Sequence, residues 1–461
     1  MHSKVNIVIL AAGLGTRMKS KKAKVLHKAG GRTLIEHVVH TASSITDPQW
    51  ITVVVGHQRH QVESILAPTG VRFVEQAEQK GTGHALLMCR AGLEERGGLV
   101  VVIYGDGPLL SAATIQRLID TQESGTSAAT LITTRMEDPS GYGRVLLNHR
   151  GYVTAIVEQK AATPEQLQMK LANSGIYCFR ADPLWKHIGE IQTNNPAHEY
   201  YLTDMAEILT RAGNTVAAME VHNQQELLGI NTGVELAYVD AIFRQRKVNE
   251  LMLAGVTIEK PETVVVDSQA RIGMDTILEP NTRILGNTVI GEDCHIGAGS
   301  IVQDSHLADR VEILPFTYLA SSRVDADVHI GPFARLRMQN HVESGAHIGN
   351  FVELKKTHLG AGAKASHLAY LGDSEIGANV NIGAGTITCN YDGVKKHQTQ
   401  IGAGAFVGSN STLVAPVQIG EGSYVGAGSV ITAAVPAGAL ALGRGRQVIK
   451  EGWVENRKKG A

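Results

Sequence analysis

After Arg271 the chain carries an aliphatic side chain at every sixth position, and this period constrains the fold more than any other feature. Three runs show it: Ile272, Leu278, Ile284, Ile290, Ile296 and Val302; Val324, Ile330, Leu336, Val342, Ile348 and Leu354; and Ile401, Val407, Leu413, Ile419, Val425 and Ile431. An amphipathic helix repeats near 3.6 residues and a strand near 2, so neither explains this spacing. The period predicts a triangular coil whose short strands point one aliphatic side chain inward and whose corners are made by small residues.

The repeat is interrupted once in its C-terminal part. Thirteen residues separate Thr388 from Ile401, where one side of a coil needs six. The extra residues lie within Cys389–His397, and we expect them to form a loop that projects from the coil. Polar loops that leave a regular scaffold often belong to a functional site.

The N-terminal half has a different pattern, in which apolar runs alternate with helix-compatible segments. The predicted strands are Val5–Leu10, Trp50–Val55, Leu99–Tyr104 and Ala128–Thr134, and the predicted helices are Thr33–Ser43, Gln58–Leu66, Gly83–Leu93 and Ser111–Thr121. Strands that are apolar on both faces are typical of a buried parallel sheet. The alternation predicts a doubly wound α/β domain whose ligands bind beyond the C-terminal ends of the strands.

A proline-free segment joins the two patterns. Residues 231–254 carry apolar side chains at spacings of three and four, and Gly255 follows. This predicts one long amphipathic linker helix that ends at the glycine. We therefore expect three parts: an α/β domain at residues 1–230, the linker helix at 231–254 and the coil domain at 255–461.

Charge and cysteine content exclude several classes of protein. The 43 basic and 44 acidic residues give a net charge of −1, which provides no general attraction to nucleic acid or to anionic membranes. The four cysteines are far apart and form no CxxC pair, so we expect reduced thiols without a disulfide framework or a zinc site. The chain has no apolar stretch near the ~20 residues needed to cross a bilayer. We expect a cytoplasmic protein.

Two segments of the N-terminal half place candidate ligand groups at strand ends. Gly13 and Gly15 follow the first strand, where backbone N–H groups can face phosphate oxygens, and Arg17 and Lys24 add two cations. The segment matches neither the dinucleotide fingerprint nor the P-loop. Asp106 follows the strand Leu99–Tyr104, where it is either a ligand for a hard cation or a helix cap.

These segments resemble the sugar-nucleotide pyrophosphorylase family, and most of all its N-acetylglucosamine-1-phosphate uridyltransferase branch. The resemblance lies in Leu10–Met18, Lys24–His27, Gln76–Ala85, Tyr104–Asp106, Gly141–Arg144 and Glu199–Asp204. It implies that a sugar-1-phosphate oxygen attacks the α-phosphorus of UTP and releases pyrophosphate. It also implies a Rossmann-like nucleotidyltransferase fold for the N-terminal domain.

The resemblance implies a role for each matching residue. Arg17 and Lys24 would be catalytic, and Asp106 and Asn231 would bind Mg²⁺. The residues implied to bind UTP or UDP-N-acetylglucosamine are Leu10, Ala11, Ala12, Gly13, Lys24, Gln76, Gly81, Thr82, Tyr104, Gly105, Asp106, Gly143, Glu158, Asn173 and Asn231, of which Gly143, Glu158 and Asn173 would contact the sugar.

The C-terminal half resembles the hexapeptide-repeat acyltransferases, which fold as a left-handed parallel β-helix and usually form trimers. The whole chain is similar to the bacterial family that joins this domain to the uridyltransferase. The motifs that carry this similarity are Gly331–Arg337, Asn350–Lys356, His367-Leu368, Tyr370–Asp373, Asn379–Gly393 and Glu451–Trp453.

This second resemblance implies an acetyltransferase site. His367 would be the general base that frees the amine of glucosamine-1-phosphate to attack acetyl-CoA, the cosubstrate. The residues implied to bind the sugar phosphate are Arg337, Lys355, Tyr370 and Asn381, and those implied to bind acetyl-CoA are Ala384, Asn390, Tyr391, Ser409, Ala427 and Arg444. The implied product is UDP-N-acetylglucosamine for cell-envelope precursors, made by a homotrimer with small-molecule substrates as its partners.

Two other readings remain open from the sequence. A single-function sugar-1-phosphate nucleotidyltransferase could use the coil only to assemble subunits, but such a coil would not need His367, Lys355, Asn390 and Tyr391. A regulatory or scaffold protein would not need Arg17, Lys24 and Asp106.

Overall fold

The computed structural model describes residues 4–459 of the chain. It contains two compact units, Met1–Ile242 and Phe243–Ala461, which we call the N-terminal and the C-terminal unit. The boundary falls inside the helix Gly233–Leu253, which occupies most of the predicted linker segment. Among the helices of residues 4–459, none has the length and the apolar character required to cross a membrane.

The N-terminal unit is built on a mixed, mainly parallel sheet. In spatial order its seven principal strands are Val216–Glu220, Ala129–Arg135, Leu171–Arg180, Leu99–Tyr104, Val5–Leu10, Ile51–Val55 and Arg72–Glu75. Only Leu171–Arg180 runs antiparallel to its two neighbours in this series. The hairpin Arg144–Leu147 and Val153–Val157 extends the sheet from that strand, and Lys28–Ala29 pairs separately with Arg32–Thr33.

Both faces of this sheet are buried. Along the central strand, Ile7 and Ile9 belong to one hydrophobic layer, and Val8 and Leu10 belong to the other. The α-helices of the unit are Leu34–Ser43, Arg59–Leu66, Thr82–Leu87, Arg90–Leu93, Ala112–Ser124, Pro164–Leu167, Ala181–His187 and Asp204–Arg211. Because each face has its own core, the strands are apolar at consecutive positions, as predicted for a doubly wound sheet.

One predicted helix is wrong in extent. Gly83–Leu93 is divided into the helices Thr82–Leu87 and Arg90–Leu93. The backbone tightens at the junction, where the N–H of Cys89 bonds to the carbonyl of Leu86, three residues back, at 3.0 Å. The buried Cys89 thiol also bonds to the carbonyl of Ala85 at 3.7 Å, which holds the turn against the core.

The C-terminal unit is a parallel β-helix with three ladders of short strands. The first ladder comprises Thr257–Ile258, Ile277–Leu278, His295–Ile296, Glu312–Ile313, His329–Ile330, His347–Asn350, Lys364–His367, Asn381–Ile382, Phe406–Val407, Tyr424–Val425 and Leu440–Ala441. The second comprises Val265–Val266, Arg283–Leu285, Ile301–Gln303, Tyr318–Ala320, Arg335–Arg337, Ile387–Cys389, Thr412–Val414 and Val430–Ile431, and the third comprises Arg271–Ile272, Val289–Ile290, His306–Leu307, Arg323–Val324, His341–Val342, Thr399–Ile401 and Val417–Ile419. Glu353–Leu359 and Tyr370–Ile376 continue around a corner and belong to both the second and the third ladder. A helix, Trp453–Lys459, follows the coil.

The strand register confirms the prediction of a coil from the period of six. Val302 pairs with Leu319, and Leu319 with Leu336, so one turn of the coil takes 17 residues here. All three side chains are fully buried. The aliphatic residues of the repeat therefore stack directly above one another and form the core of the coil.

The interruption of the repeat is also visible in the register. Leu359 pairs with Ile376, 17 positions later, whereas Ile376 pairs with Ile401, 25 positions later. The additional residues leave the coil after Cys389, at the corner between the second and third ladders. They form the projecting loop that the sequence predicts.

The stacked core yields a test of the fold. Leu319→Ala removes a fully buried side chain from the middle of the coil, and it should lower the free energy of unfolding by about 2–5 kcal/mol. The adjacent Tyr318 points outward and is 36% exposed, so Tyr318→Ala should change the free energy by only about 0.5 kcal/mol. Urea denaturation followed by circular dichroism measures both values, and equal losses would contradict the assigned register.

Candidate active sites

The glycine loop of the N-terminal unit lies at the point where the strand order reverses. Val5–Leu10 pairs with Ile51–Val55 on one side and with Leu99–Tyr104 on the other, all in parallel. Loops from such strands diverge at their C-terminal ends and leave a crevice between them. A cavity of about 490 Å³ occupies this place. Its lining includes ten of the predicted nucleotide residues besides Arg17 and Lys24: Leu10, Ala11, Ala12, Gly13, Gln76, Gly81, Thr82, Tyr104, Asp106 and Asn231.

The two predicted catalytic cations contact the two predicted metal ligands. The Lys24 ammonium donates to the Asp106 carboxylate, and it lies 3.2 Å from the Asn231 side-chain oxygen. Arg17 donates to the same oxygen of Asn231 at 2.7 Å. Four residues that are up to 214 positions apart in the chain thus converge on one point of the cavity.

The donor set at this point fits a hard divalent cation. A carboxylate oxygen and an amide oxygen both face the Lys24 ammonium, so both are directed at one small volume. Mg²⁺ binds few protein oxygens and completes its shell with water and substrate phosphates. Asp106 and Asn231 are therefore chemically suited to hold it, and the two cations are placed to meet phosphate charge.

A second loop of the cavity owes its shape to Gly81. Its φ of +107° lies in a region that side chains avoid, and a Cβ there would lie 2.6 Å from the carbonyl oxygen of Tyr200. Thr82 accepts a bond from the backbone of Leu202 at 3.0 Å. The buried Gln76 donates to the carbonyl of Gly81 at 3.0 Å. These contacts hold the loop that begins at Gln76 against the segment Glu199–Asp204.

The three predicted sugar residues adjoin one another. The backbone N–H of Asn173 bonds to the carbonyl of Gly143 at 2.9 Å, and a Cβ at Gly143 would lie 3.5 Å from the Glu158 carboxylate. Glu158 and Arg17 both line a further cavity of about 470 Å³, so this member of the sugar set faces the same space as one of the two cations. The lining of this cavity also includes Asp204.

Carboxylates of this region have raised pKa values. Burial raises the pKa of Glu158. Burial, together with the charges of Glu207 and Glu158, raises the pKa of Asp204 to about 6. Sequence reasoning assigned no role to Asp204, although it closes the motif Glu199–Asp204, and only the fold shows that it shares a cavity with Glu158.

In the C-terminal unit, His367 belongs to a column of corner residues. Asn350 pairs with His367 in the first ladder, and the same corner position in the next coils is taken by Ala384, Ser409 and Ala427. Ala384, Ser409 and Ala427 are three of the predicted acetyl-CoA residues, and Arg444 bonds to the carbonyl of Ala427 at 2.8 Å. Since adjacent strands are ~4.8 Å apart, the column from His367 to Ala427 extends over about 14 Å.

A second cluster lies on the second ladder, beside the projecting loop. Lys355 is 4% exposed and pairs with Asp373 at 2.8 Å. The amide of Asn390, the first residue of the loop, donates to the same Asp373 oxygen, and it lies 3.4 Å from the Tyr370 hydroxyl. Burial lowers the pKa of Lys355, but the bond to Asp373, the charge of Asp373 and the interaction with Lys396 together outweigh it, and the pKa is raised. Lys396 of the loop interacts with the Lys355 ammonium, which lowers the pKa of Lys396.

The remaining predicted residues of this unit are divided between two corners. Arg337 pairs with Lys355 in the second ladder and bonds to Glu353 at 2.7 Å. Asn381 lies on the first ladder, next to the strand that contains His367. Asn390 and Tyr391 are at the loop corner, whereas the column of Ala384, Ser409 and Ala427 is at the other end of the second ladder. One chain does not bring the whole predicted acetyl-CoA set together.

Sequence reasoning missed the partners of these groups. It gave no role to Asp373, Lys396 or Asn350, yet Asp373 pairs with Lys355, and Asn350 bonds to His367 at 2.7 Å. A signal was present in the spacing: Asp373 follows Lys355 by 18 residues and Asn350 precedes His367 by 17, close to one turn of the coil in each case.

Comparisons with known proteins agree with this arrangement. A model of the MobA-like NTP transferase domain matches residues 7–170, and bacterial transferase hexapeptide repeats match residues 269–303 and 398–433. The bifunctional protein GlmU of Solibacter usitatus is 60% identical over 459 residues, covering 100% of this chain and 98% of that protein. The chain belongs to the GlmU family.

Other members of the GlmU family are also similar over their whole length. The protein of Koribacter versatilis is 50% identical, covering 99% of this chain and 98% of its own, and that of Alkaliphilus metalliredigens is 44% identical with 98% of each covered. Membership confirms the resemblance and the fold class predicted from the sequence. It makes the chain a bifunctional enzyme, an acetyltransferase joined to a uridyltransferase.

The raised pKa of Asp204 gives a pH-dependent prediction. Above pH 6 the folded protein bears the cost of a partly buried, ionised carboxylate, whereas below it the carboxyl takes up a proton and this cost disappears. Asp204→Asn should therefore raise the melting temperature at about pH 7.5, and the gain should shrink at about pH 4.5. Differential scanning fluorimetry at both pH values measures the effect.

Glu207→Gln is the matched control, because it removes one of the charges that raise the pKa of Asp204. In that background the gain from Asp204→Asn should be smaller. The same gain at both pH values in the otherwise unchanged protein would contradict the assignment.

Proposed function

We propose that the enzyme makes UDP-N-acetylglucosamine in two steps at two separate sites. The C-terminal unit acetylates glucosamine-1-phosphate with acetyl-CoA, and the N-terminal unit joins the product to UTP and releases pyrophosphate. The observation that carries the proposal is the convergence of Arg17, Lys24, Asp106 and Asn231 in one unit and the column that contains His367 in the other. We assign the uridyltransferase to residues 1–230, the linker to 231–254 and the acetyltransferase to 255–461.

The uridyltransferase site works by positioning and by neutralising charge. A sugar-phosphate oxygen attacks the α-phosphorus, and the bond to the pyrophosphate oxygen breaks. Arg17 and Lys24 bind the phosphate oxygens that gain negative charge in this step. Asp106 and Asn231 would hold Mg²⁺, which supplies further charge neutralisation when bound. Phosphate binding also gives Lys24 a second partner in place of Asp106, and this releases the carboxylate for the cation.

The sugar lies on the same side of the cavity as Glu158 and Asn173. Burial raises the pKa of Glu158, and its carboxyl group can hydrogen-bond to a sugar hydroxyl. Asn173 is held by bonds to Tyr177 at 2.9 Å and to the backbone of Gly175 at 3.1 Å. These contacts orient the Asn173 side chain before the substrate arrives.

The contacts of His367 suit a general base. Its Nδ1 faces the Asn350 side-chain oxygen, which can only accept, so Nδ1 carries the proton and Nε2 keeps a lone pair. Nε2 can then take a proton from the sugar amine as the amine nitrogen attacks the thioester carbonyl. The C–S bond breaks, an amide forms, and coenzyme A leaves as its thiol.

The sugar phosphate is assigned to Lys355 and its neighbours. Two ammonium groups held close together, Lys355 and Lys396, form a site that is completed by an anion. Arg337 lies on the adjacent strand and adds a third cation. Tyr370 lies two positions before Gly372, the strand partner of Lys355, and it follows His367 by three positions, which connects the phosphate end of the sugar to the base.

The divided acetyl-CoA residues support a homotrimer. Ala384, Ser409 and Ala427 lie at one corner of the coil, and Asn390 and Tyr391 at another. Packing of the corner of one copy against a different corner of the next would bring the two halves of the set together. We place the enzyme in the cytoplasm, where UTP and acetyl-CoA occur, and the four free cysteines agree with a reducing compartment.

His367→Ala should lower acetyl transfer by about 10²–10⁴-fold, because it removes the general base, and should leave uridylyl transfer unchanged. Release of coenzyme A and release of pyrophosphate are assayed separately, with glucosamine-1-phosphate and N-acetylglucosamine-1-phosphate as the respective substrates. His306→Ala, at an exposed histidine of the third ladder, is the control and should retain both activities. Loss of both activities in the His367 variant would contradict the division into two sites.

Asp106→Ala should have the opposite effect. A metal ligand contributes several kcal/mol of charge stabilisation, so pyrophosphate release should fall at least about 100-fold while coenzyme A release persists. Asp120→Ala, at an exposed position of the helix Ala112–Ser124, is the matched control. A variant at position 106 with undiminished Mg²⁺-dependent activity would refute the ligand assignment.

A further inference from the structure

A group of histidines and carboxylates on the third ladder lies apart from both sets of active-site residues. One outward column of this ladder consists of Arg271, Val289, His306, Arg323, His341, His358, Glu375, Gln400 and Gln418. The neighbouring column, two positions further along each coil, consists of Gly273, Gly291, Ala308, Asp325, Glu343, Gly360, Gly377, Gly402 and Gly420. Only two members of this second column are acidic, Asp325 and Glu343, and they lie in consecutive coils. Asp325 adjoins His341, and Glu343 adjoins His358.

Small residues in that column have a steric cause. At Gly360 and at Gly377, an added Cβ would lie 2.6 Å from the backbone of the next coil. Asp325 and Glu343 therefore depart from a position where the coil favours glycine. A departure in two successive turns, each next to a histidine, needs an explanation beyond the repeat itself.

The side chains form a continuous cluster across four coils. The His341 Nε2 lies 2.9 Å from Asp325, and the His358 Nε2 lies 2.9 Å from Glu343. The other ring nitrogen of His358 lies 3.0 Å from Glu375. The two imidazole rings are stacked, with centroids 5.1 Å apart and planes inclined by 6°.

Three of these residues present ligand atoms to a common space. One atom each from His341, Glu343 and His358 lies within 4.8 Å of the other two, and no other group of His, Cys, Asp or Glu in the described chain meets this condition with three members. Small side-chain rotations would bring such atoms to the ~2.0–2.2 Å bonds of a zinc site. Asp325 and Glu375 flank the group and can accept from the ring N–H of a coordinated histidine.

We propose that His341, His358 and Glu343 bind a zinc ion on the outer surface of the β-helix, with water completing the coordination. Two imidazoles and a carboxylate favour zinc over magnesium or calcium, which prefer ligand sets made entirely of oxygen. The three side chains are 35–38% exposed, so an ion can reach them from solvent. The ligands come from two adjacent coils, and the ion therefore joins neighbouring turns of a scaffold whose stability depends on contacts between neighbours.

The same β-helix contains a comparison site without a third ligand. On the first ladder His329 pairs with Glu312 at 2.6 Å, and its ring is tilted against that of His347 at 6.4 Å. This histidine–carboxylate pair is also open to solvent, with His329 52% exposed, and it does not meet the three-ligand condition among residues 4–459. A substitution at His329 therefore shows what the loss of an ordinary surface ion pair does, as distinct from the loss of a zinc ligand.

The test is a zinc titration of the full-length, metal-free enzyme by isothermal calorimetry in excess Mg²⁺. We expect the unchanged protein to bind one zinc ion per chain, and the double variant H341Q/H358Q to bind it at least about 100-fold more weakly. H329Q should bind as tightly as the unchanged protein. Asp106→Asn should also leave zinc binding unaffected, which excludes the nucleotide cavity as its source.

Two further measurements keep the proposal testable if the double variant folds poorly. With Co²⁺ as the probe, the unchanged protein should show the intense visible absorption of a tetrahedral site, and E343Q should lose it. Zinc should also raise the melting temperature of the unchanged protein and of H329Q, but not that of E343Q. Zinc binding by the unchanged protein no tighter than by H341Q/H358Q, or an equal loss in H329Q, would overturn the proposal.

Discussion

The stacking of one aliphatic side chain above another in each coil is the constraint on which the acetyltransferase half depends. Val302, Leu319 and Leu336 bury completely because successive coils keep these positions in register. Once this register is set, outward residues 17 or 18 positions apart must also lie above one another. Core packing therefore decides which surface groups become neighbours, and this is how Asn350 reaches His367 and Asp373 reaches Lys355.

The N-terminal unit positions its groups by a different route. Its parallel strands end at one edge, and the reversal of strand order opens a crevice there, so residues from distant segments converge without any repeat. The two units share one electrostatic feature. The cations Lys24, Lys355 and Arg337 each contact a carboxylate within their own unit. Such pairs hold long cationic side chains in place. In the function proposed above, a phosphate takes the place of the carboxylate, and these local cations let a chain of net charge −1 bind several anions.

Much of the fold follows from short-range patterns in the sequence. The period of six is long, regular and incompatible with a helix or a flat strand, so it predicts the coil and its interruption directly. The strand Leu99–Tyr104 has the predicted bounds, because its apolar run is flanked by glycines, Gly98 before it and Gly105 after it. The break at Cys89 carries no glycine or proline signal, and only the packing of its thiol and backbone against the core shows it.

The candidate sites could be predicted only in part, because motifs are short-range patterns and contacts between distant segments are not. The motif residues of the nucleotide cavity are recognisable, yet the contacts of Lys24 with both Asp106 and Asn231 depend on a fold that joins positions more than 80 apart. The pKa of Asp204 depends on burial beside Glu207 and Glu158, and linear spacing contains no information on burial. In the β-helix, contacts between side chains are easier to predict from the sequence, because a known turn length converts sequence distance into spatial distance.

That conversion also explains how the coil can acquire sites that the enzyme's two reactions do not use. A substitution at one outward position always has the same neighbours, one turn before and one turn after, whatever else the chain contains. Two histidines in one column and two acids in the next are then enough to gather a ligand set, and the core formed by residues such as Val342 and Leu359 remains unchanged. A parallel β-helix therefore lets surface chemistry change independently of the packing that sets its geometry.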